Sequence, residues 1–298
     1  MYSPYEVGRL FIKYGVNKAH RPIEKIFILS IFGAFFVGLS STFSLVCKNI
    51  TESGYTQFYS GLAFPIGIIL VHYAGGELIT GNSLLLISFY SNKLGALKLL
   101  FIWLIILVGN FIGSILISML VVYSHIPNMF SVSLAQIIIV NGIEKCTFNF
   151  GEAFIRGILA NFFNCLGIWV AMSSKDMRSK IFGLIIPNFV IMTTGLDHCV
   201  ADMFYILAGI FTCYEYGLDS TEMNWGRLFY KNIIPVLLGN IVGGGFLMGM
   251  SFWYLNLHKD DSGYAKWGKN TLTDSKIKST IDNAQKQNPD LSIARLNN

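Results

Sequence analysis

Charge is what this sequence has least of. Only 13% of its 298 residues are Asp, Glu, Lys or Arg, about half the share found in soluble domains. With 53% hydrophobic residues beside it, this scarcity excludes an ordinary water-soluble domain. Cysteine is sparse too: Cys47, Cys146, Cys165, Cys199 and Cys213 stand singly, and no Cys-x-x-Cys pair occurs. Neither a disulfide framework nor a zinc site is expected, and no metal or cofactor is indicated. The first 25 residues are polar and lack an apolar core, so membrane insertion is expected to begin at the first spanning helix.

What the sequence does have is long apolar runs. Six reach the length of about 20 residues needed to cross a bilayer: 26–47, 53–92, 99–124, 157–174, 181–214 and 232–257. The second run carries only His72 and Glu77 and is far too long for one helix. The fifth is interrupted by Asp197, His198 and Asp202. Both are therefore expected to be discontinuous helices. Of 22 lysines and arginines, all but Lys48, Lys145, Arg156, Arg227 and Lys231 fall on one side of this layout. Such a bias predicts cytoplasmic N- and C-termini. The net charge of +5 follows from the same bias and points to no nucleic acid. Residues 1–25 read as a cytoplasmic segment, 26–257 as the membrane domain, and 258–298 as a polar, disordered cytoplasmic tail.

Two motifs recur in order. Gly75-x-Glu77-x-x-Thr80-Gly81-Asn82 is echoed by Gly195-x-Asp197-x-x-Val200-Ala201-Asp202, and Leu107-x-Gly109-Asn110-x-x-Gly113 by Leu237-x-Gly239-Asn240-x-x-Gly243. The pairs are offset by 120 and 130 residues, which indicates an internal duplication of about 26–124 and 155–257. Each unit has three helices, so the second must enter the membrane from the opposite side. Glycines, carboxylates and amides at membrane depth break helices, and such breaks survive only where they line a cavity. Matching breaks in two inverted repeats are the mark of a transporter or channel.

The motifs resemble those of the formate–nitrite transporter family. Gly76-Glu77-Leu78-Ile79-Thr80-Gly81-Asn82 is similar to that family's first break, and Thr194 through Met203 to its second. Gly157 to Asn161, continuing through Cys165 to Val170, resembles its fourth helix, and Asn232 to Asn240 its sixth. The resemblance implies an all-α, aquaporin-like bundle of six helices with helices 2 and 5 broken, one pore per subunit, and a homopentamer. It implies transport of small monocarboxylates of the formate, lactate and acetate class together with a proton, across what is expected to be the plasma membrane. A nitrite or hydrosulfide channel shares the fold and differs only in pore width and preference. A water or glycerol channel requires Asn-Pro-Ala at each break, and the only Asn-Pro here is Asn288-Pro289. Asp197-His198-Cys199 superficially suggests an acyltransferase, but that reading needs a cysteine-rich zinc module and leaves the duplication unexplained.

His198 is the leading candidate for the substrate pathway. An ionisable residue in a break at membrane depth is a functional site by default; it could donate to a carboxylate, relay a proton or simply cap a half-helix. Thr80 is expected opposite it, with Gly81 allowing close backbone approach. Phe64, Leu78, Ile79 and Val200 are candidates for apolar constrictions, which a neutral acid crosses more cheaply than an anion. Glu77 and Asp197 are expected to support the breaks by accepting from backbone N–H groups at half-helix starts, together with Asn82. Lys145, matching the family's basic residue ahead of the fourth helix, is expected to attract anions. Asp202 departs from the resemblance, which implies Asn there. Asn110, Asn161, Asn164 and Asn240 are expected to bond between helices.

Overall fold

A computed structural model describes residues 1–51, 54–129, 133–218 and 221–258. The tail beyond 258 lies outside the described residues, as does part of the loop after the third run.

All regular structure among the described residues is helical. Helix α1 (Pro4–Ala19) starts at a capping box in which Ser3 and Glu6 bond each other's backbone N–H, satisfying orphan donors of the first turn. The Ser3 bonds hold the Glu6 carboxyl below the usual glutamate range. Then follow α2 (Ile23–Ile50), α3 (Thr56–Ala63), α4 (Pro65–Ala74), a 3-10 turn at Gly81–Leu85, α5 (Leu86–Tyr90) and α6 (Ala96–Tyr123). The second half runs through α7 (Ser133–Thr147), α8 (Phe150–Ser173), α9 (Met177–Thr193) and α10 (Cys199–Tyr216). It closes with α11 (Trp225–Leu257), which widens to π-turns at Leu228–Ile233 and Val242–Met250.

Five of these segments are long and apolar enough to cross a membrane: α2, the α3–α4 unit Thr56–Ala74, α6, α8 and α11. The fifth apolar run is instead divided between α9 and α10, and neither half alone joins that group. Two elements went unforeseen. The polar N-terminal segment forms α1, and the loop after α6 contains α7.

Helices α2 and α6 pack together, as do α8 and α11, while α10 lies between α6 and α7. The distribution of polarity is inverted relative to a soluble protein. Phe32, Leu104, Leu120 and Phe182 are exposed, whereas Ser30, Asn110, Asn161 and Asn188 are buried. Outward apolar side chains and inward hydrogen-bonding groups suit a lipid surround. The chain ends of α2 mark two faces of the bundle. Its first turn adjoins α1, and Lys48 near its last turn donates to Asn141 of α7 at 3.2 Å.

Candidate functional site: two helix breaks meeting at a histidine

The duplicated glycines do the same job twice. A Cβ on Gly109 or Gly113 would meet the Phe27 or Ile31 carbonyl oxygen at 3.0 or 2.4 Å; on Gly239 or Gly243 it would meet Phe154 or Ile158 at 2.1 or 2.0 Å. Helices α6 and α11 therefore lie directly against the backbones of α2 and α8. This contact brings Asn110 and Asn240 to the breaks. Asn110 Nδ2 donates to the Ser30 and Glu77 carbonyls at 2.8 and 2.7 Å, and its Oδ1 accepts the Ile79 N–H at 3.0 Å. Asn240 donates to the Gly157 and Asp197 carbonyls at 2.7 and 3.2 Å and accepts the Cys199 N–H at 3.0 Å. Each amide closes two backbone groups of a break that the local loss of helix would otherwise leave unpaired, which at membrane depth is costly, and ties them to a carbonyl of the neighbouring helix α2 or α8.

The breaks themselves are matched. Helix α4 ends at Gly75, φ 82°, and α9 is followed by Gly195, φ 70°. These left-handed conformations favour glycine, which has no Cβ to clash. Residues 75–80 and 194–198 are not helical.

Both carboxylates at the breaks are held by cations. Glu77 is bonded by Lys18, by Arg21 Nη1 at 3.0 Å and by Asn82 Nδ2 at 3.0 Å. Lys18 also donates to Asn82 Oδ1 at 2.6 Å. Asp197 is bonded by Lys145 and by Arg156 Nε at 2.6 Å, and Arg156 also donates to the Gly195 carbonyl. Among the described residues no backbone N–H donates to either carboxylate. The expected backbone capping is therefore corrected: with Glu77 3% and Asp197 0% exposed, a buried charge needs a full opposite charge nearby. Lys145 is a buried residue of α7 that pairs with Asp197 and lies 3.5 Å from Asp202. Asp202 further accepts from Asn232 Nδ2 at 3.4 Å.

Sequence reasoning missed Lys18, Arg21, Arg156 and Asn232. The usable signal was the demand of a buried carboxylate for a cation, together with the spacing of Lys18 and Lys145, close to that of the duplication.

Between the clusters the breaks touch. His198 is the N-cap of α10, its Nδ1 accepting the Ala201 N–H at 3.4 Å. Its Nε2 lies 2.9 Å from Thr80 Oγ1. Because a backbone N–H can only donate, Nδ1 carries no proton, and the neutral ring therefore bears its hydrogen on Nε2. That N–H points to Thr80. Thr80's own carbonyl accepts from Asn161 Nδ2 at 3.0 Å, and Asn161 also donates to the Asn240 carbonyl at 2.7 Å. Phe64 stacks edge-on, its ring centre 6.5 Å from that of His198. Phe64, Thr80 and His198 are all buried.

Cavities open on either side of this contact. One of about 200 Å³ lies on the α1 face and is lined by Arg21, Glu77, Leu78, Gly81 and Asn82 among others. The other, about 30 Å³, lies on the α7 face, lined by Lys48, Glu144, Lys145, Gly195 and Leu196 among others. Ile79 and Val200 are buried but line neither. No cluster able to hold a metal occurs among the described residues.

Residues 5–254 match the sequence model of the formate/nitrite transporter family. The chain belongs to the formate/nitrite transporter family. It is 29% identical to formate channel FocA of Haemophilus influenzae over 81% of its own length and 92% of that protein. It is 30% identical to a formate-nitrite transporter of Entamoeba histolytica, covering 86% of this chain and 70% of the relative. A pentameric formate channel with formate bound superposes with a TM-score of 0.70 at 28% identity, covering 78% of this chain and 97% of that one. A second structure, an ion channel of the same family, superposes at 0.75 with 22% identity and supports the fold. The family comprises membrane transporters and channels, not enzymes.

Proposed function

We propose that this chain moves formate and small monocarboxylates of the lactate and acetate class across a membrane together with a proton. The observation that carries the reading is the Thr80–His198 contact between two carboxylate-and-cation clusters, a cavity lying on either side of it. An acid arriving at the contact meets Nε2–H of His198 and the Thr80 hydroxyl in place of their bond to one another. A carboxylate can accept from both. The surrounding wall is apolar at Phe64 and Leu78, and a bare anion is costly there, whereas a protonated acid is not. Passage therefore favours acid plus proton over anion alone.

In this reading the duplicated halves are inverted repeats of a six-helix, aquaporin-like bundle whose second and fifth helices break at the site. Both termini are cytoplasmic and the bundle sits in the plasma membrane. Five subunits assemble with one pathway each, an arrangement suggested by the pentameric relative. The test is uptake of radiolabelled formate and L-lactate into proteoliposomes under an inward proton gradient, with glycerol as control. Uptake of both acids, rising as the external pH falls and absent for glycerol, is expected. Formate alone would restrict the pathway to the smallest anions, nitrite among the competitors to try next; uptake of neither acid would refute the assignment.

A further inference from the structure

The two clusters differ in formal charge, and the difference is located at one residue. On the α1 face Lys18 and Arg21 surround Glu77 alone, and the neutral amide of Asn82 completes the group. Two cations against one anion leave one net positive charge. On the α7 face Lys145 and Arg156 surround Asp197, and Asp202 stands where the duplication places Asn82. With Asp202 ionised beside Lys145, two cations against two anions leave none. The neighbouring charges do not alter this. Lys48 and Glu144 line the α7-face cavity together and cancel, and Arg227 is paired with Glu222. His72 lines the α1-face cavity and is counted neutral. Cys146, Cys199 and Tyr205, which lie near Asp202, are uncharged as thiols and phenol.

We propose that Asp202 makes the pathway electrostatically lopsided, so that a small monocarboxylate anion is captured more readily from the α1 face than from the α7 face. The inference rests on the transport reading above and concerns only the capture step. Asp202 is buried within 3.5 Å of Lys145, so it removes positive potential at the point where an anion approaching from that face would meet it. Low-dielectric walls focus such a field, and one sign of charge in a cleft changes local ion concentration by about tenfold or more. Asp202 thereby acts as a residue that sets direction of preference, while Thr80 and His198 make the passage itself.

The experiment is formate flux at low ionic strength, where screening is weakest, in proteoliposomes sorted by orientation on an N-terminal tag. Wild-type protein is expected to show an apparent KM about tenfold lower from the α1 face. Asp202→Asn, which keeps the shape and one acceptor oxygen while removing the charge, is expected to lower the KM from the α7 face until the two agree. Asn82→Asp, its mirror, is expected to raise the KM from the α1 face and remove the difference the other way. Either variant suffices if the other fails to assemble. Equal KM values in the wild type, or a difference that neither folded variant moves, would overturn the inference while formate flux continued. Absence of wild-type formate flux from both faces would overturn the transport reading and the inference with it.

Discussion

On the α1 face two cations hold one carboxylate, and on the α7 face two cations hold two. The supporting parts of the two ends correspond: Gly75 with Gly195, Asn110 with Asn240, Lys18 with Lys145. The correspondence shows that the breaks are maintained by a fixed set of parts. A glycine turns the chain, an amide closes the free backbone groups, and a buried lysine neutralises the carboxylate. The two stretches differ in the side chains set within that frame. Leu78 in the first break is answered by His198 in the second, Thr80 by Val200, and Asn82 by Asp202. The first break thus presents a hydroxyl and the second a ring nitrogen, and only together do they form the polar contact at the centre.

Removing a cation breaks this correspondence most severely. Lys145→Met leaves Asp197 and Asp202 with Arg156 alone, and breaking a buried pair costs about 3–5 kcal/mol; loss of folded protein in a thermal melt in detergent is expected. Lys18→Met should cost less, because Arg21 remains on Glu77 as its one cation. Equal melting losses for the two would show that Asp202 draws nothing from Lys145. Next in size are Asn110→Ala and Asn240→Ala, each leaving buried backbone groups unsatisfied at about 1–3 kcal/mol. Their effects should match one another, and a large disparity would break the equivalence of the two breaks. Smallest is Gly81→Ala. Its new methyl meets only Ile168 Cδ1, at 3.1 Å; the lost freedom of the unfolded chain offsets part of that overpacking, so stability should fall by about 1 kcal/mol. Lactate uptake should drop more than formate uptake, since the passage narrows on the α1 side.

Much of this was legible from spacing alone. The repeated Gly-x-Glu/Asp pattern falls on the two non-helical stretches, 75–80 and 194–198, and on Thr80 and His198, which lie 2.9 Å apart. The partners of the carboxylates were not legible. Lys18 and Arg21 sit in a polar stretch that reads as a solvated tail, and Lys145 in a loop, so nothing local marks them for burial. Their place is fixed by the unmet charge of Glu77 and Asp197, distant in sequence. The division of α9 from α10 was visible in Asp197 and His198, but the loss of each half's spanning length was not. Which apolar residues line the cavities was also beyond sequence: Leu78 does and Ile79 does not, although they are neighbours of equal hydrophobicity.

The central claim is that acids pass where Thr80 meets His198, and formate flux through Thr80→Val and His198→Asn tests it most directly. Asn is itself a good N-cap, so His198→Asn keeps the start of α10 while removing the ring; Thr80→Val keeps the shape of the side chain. A hydrogen bond to a charged group is worth about 1.5–3 kcal/mol, and each 1.4 kcal/mol or so is a factor of ten. Each variant, assembled as well as the wild type, is expected to lose about tenfold or more of its formate flux. Wild-type flux and unchanged pH dependence in both would contradict it and place the passage elsewhere.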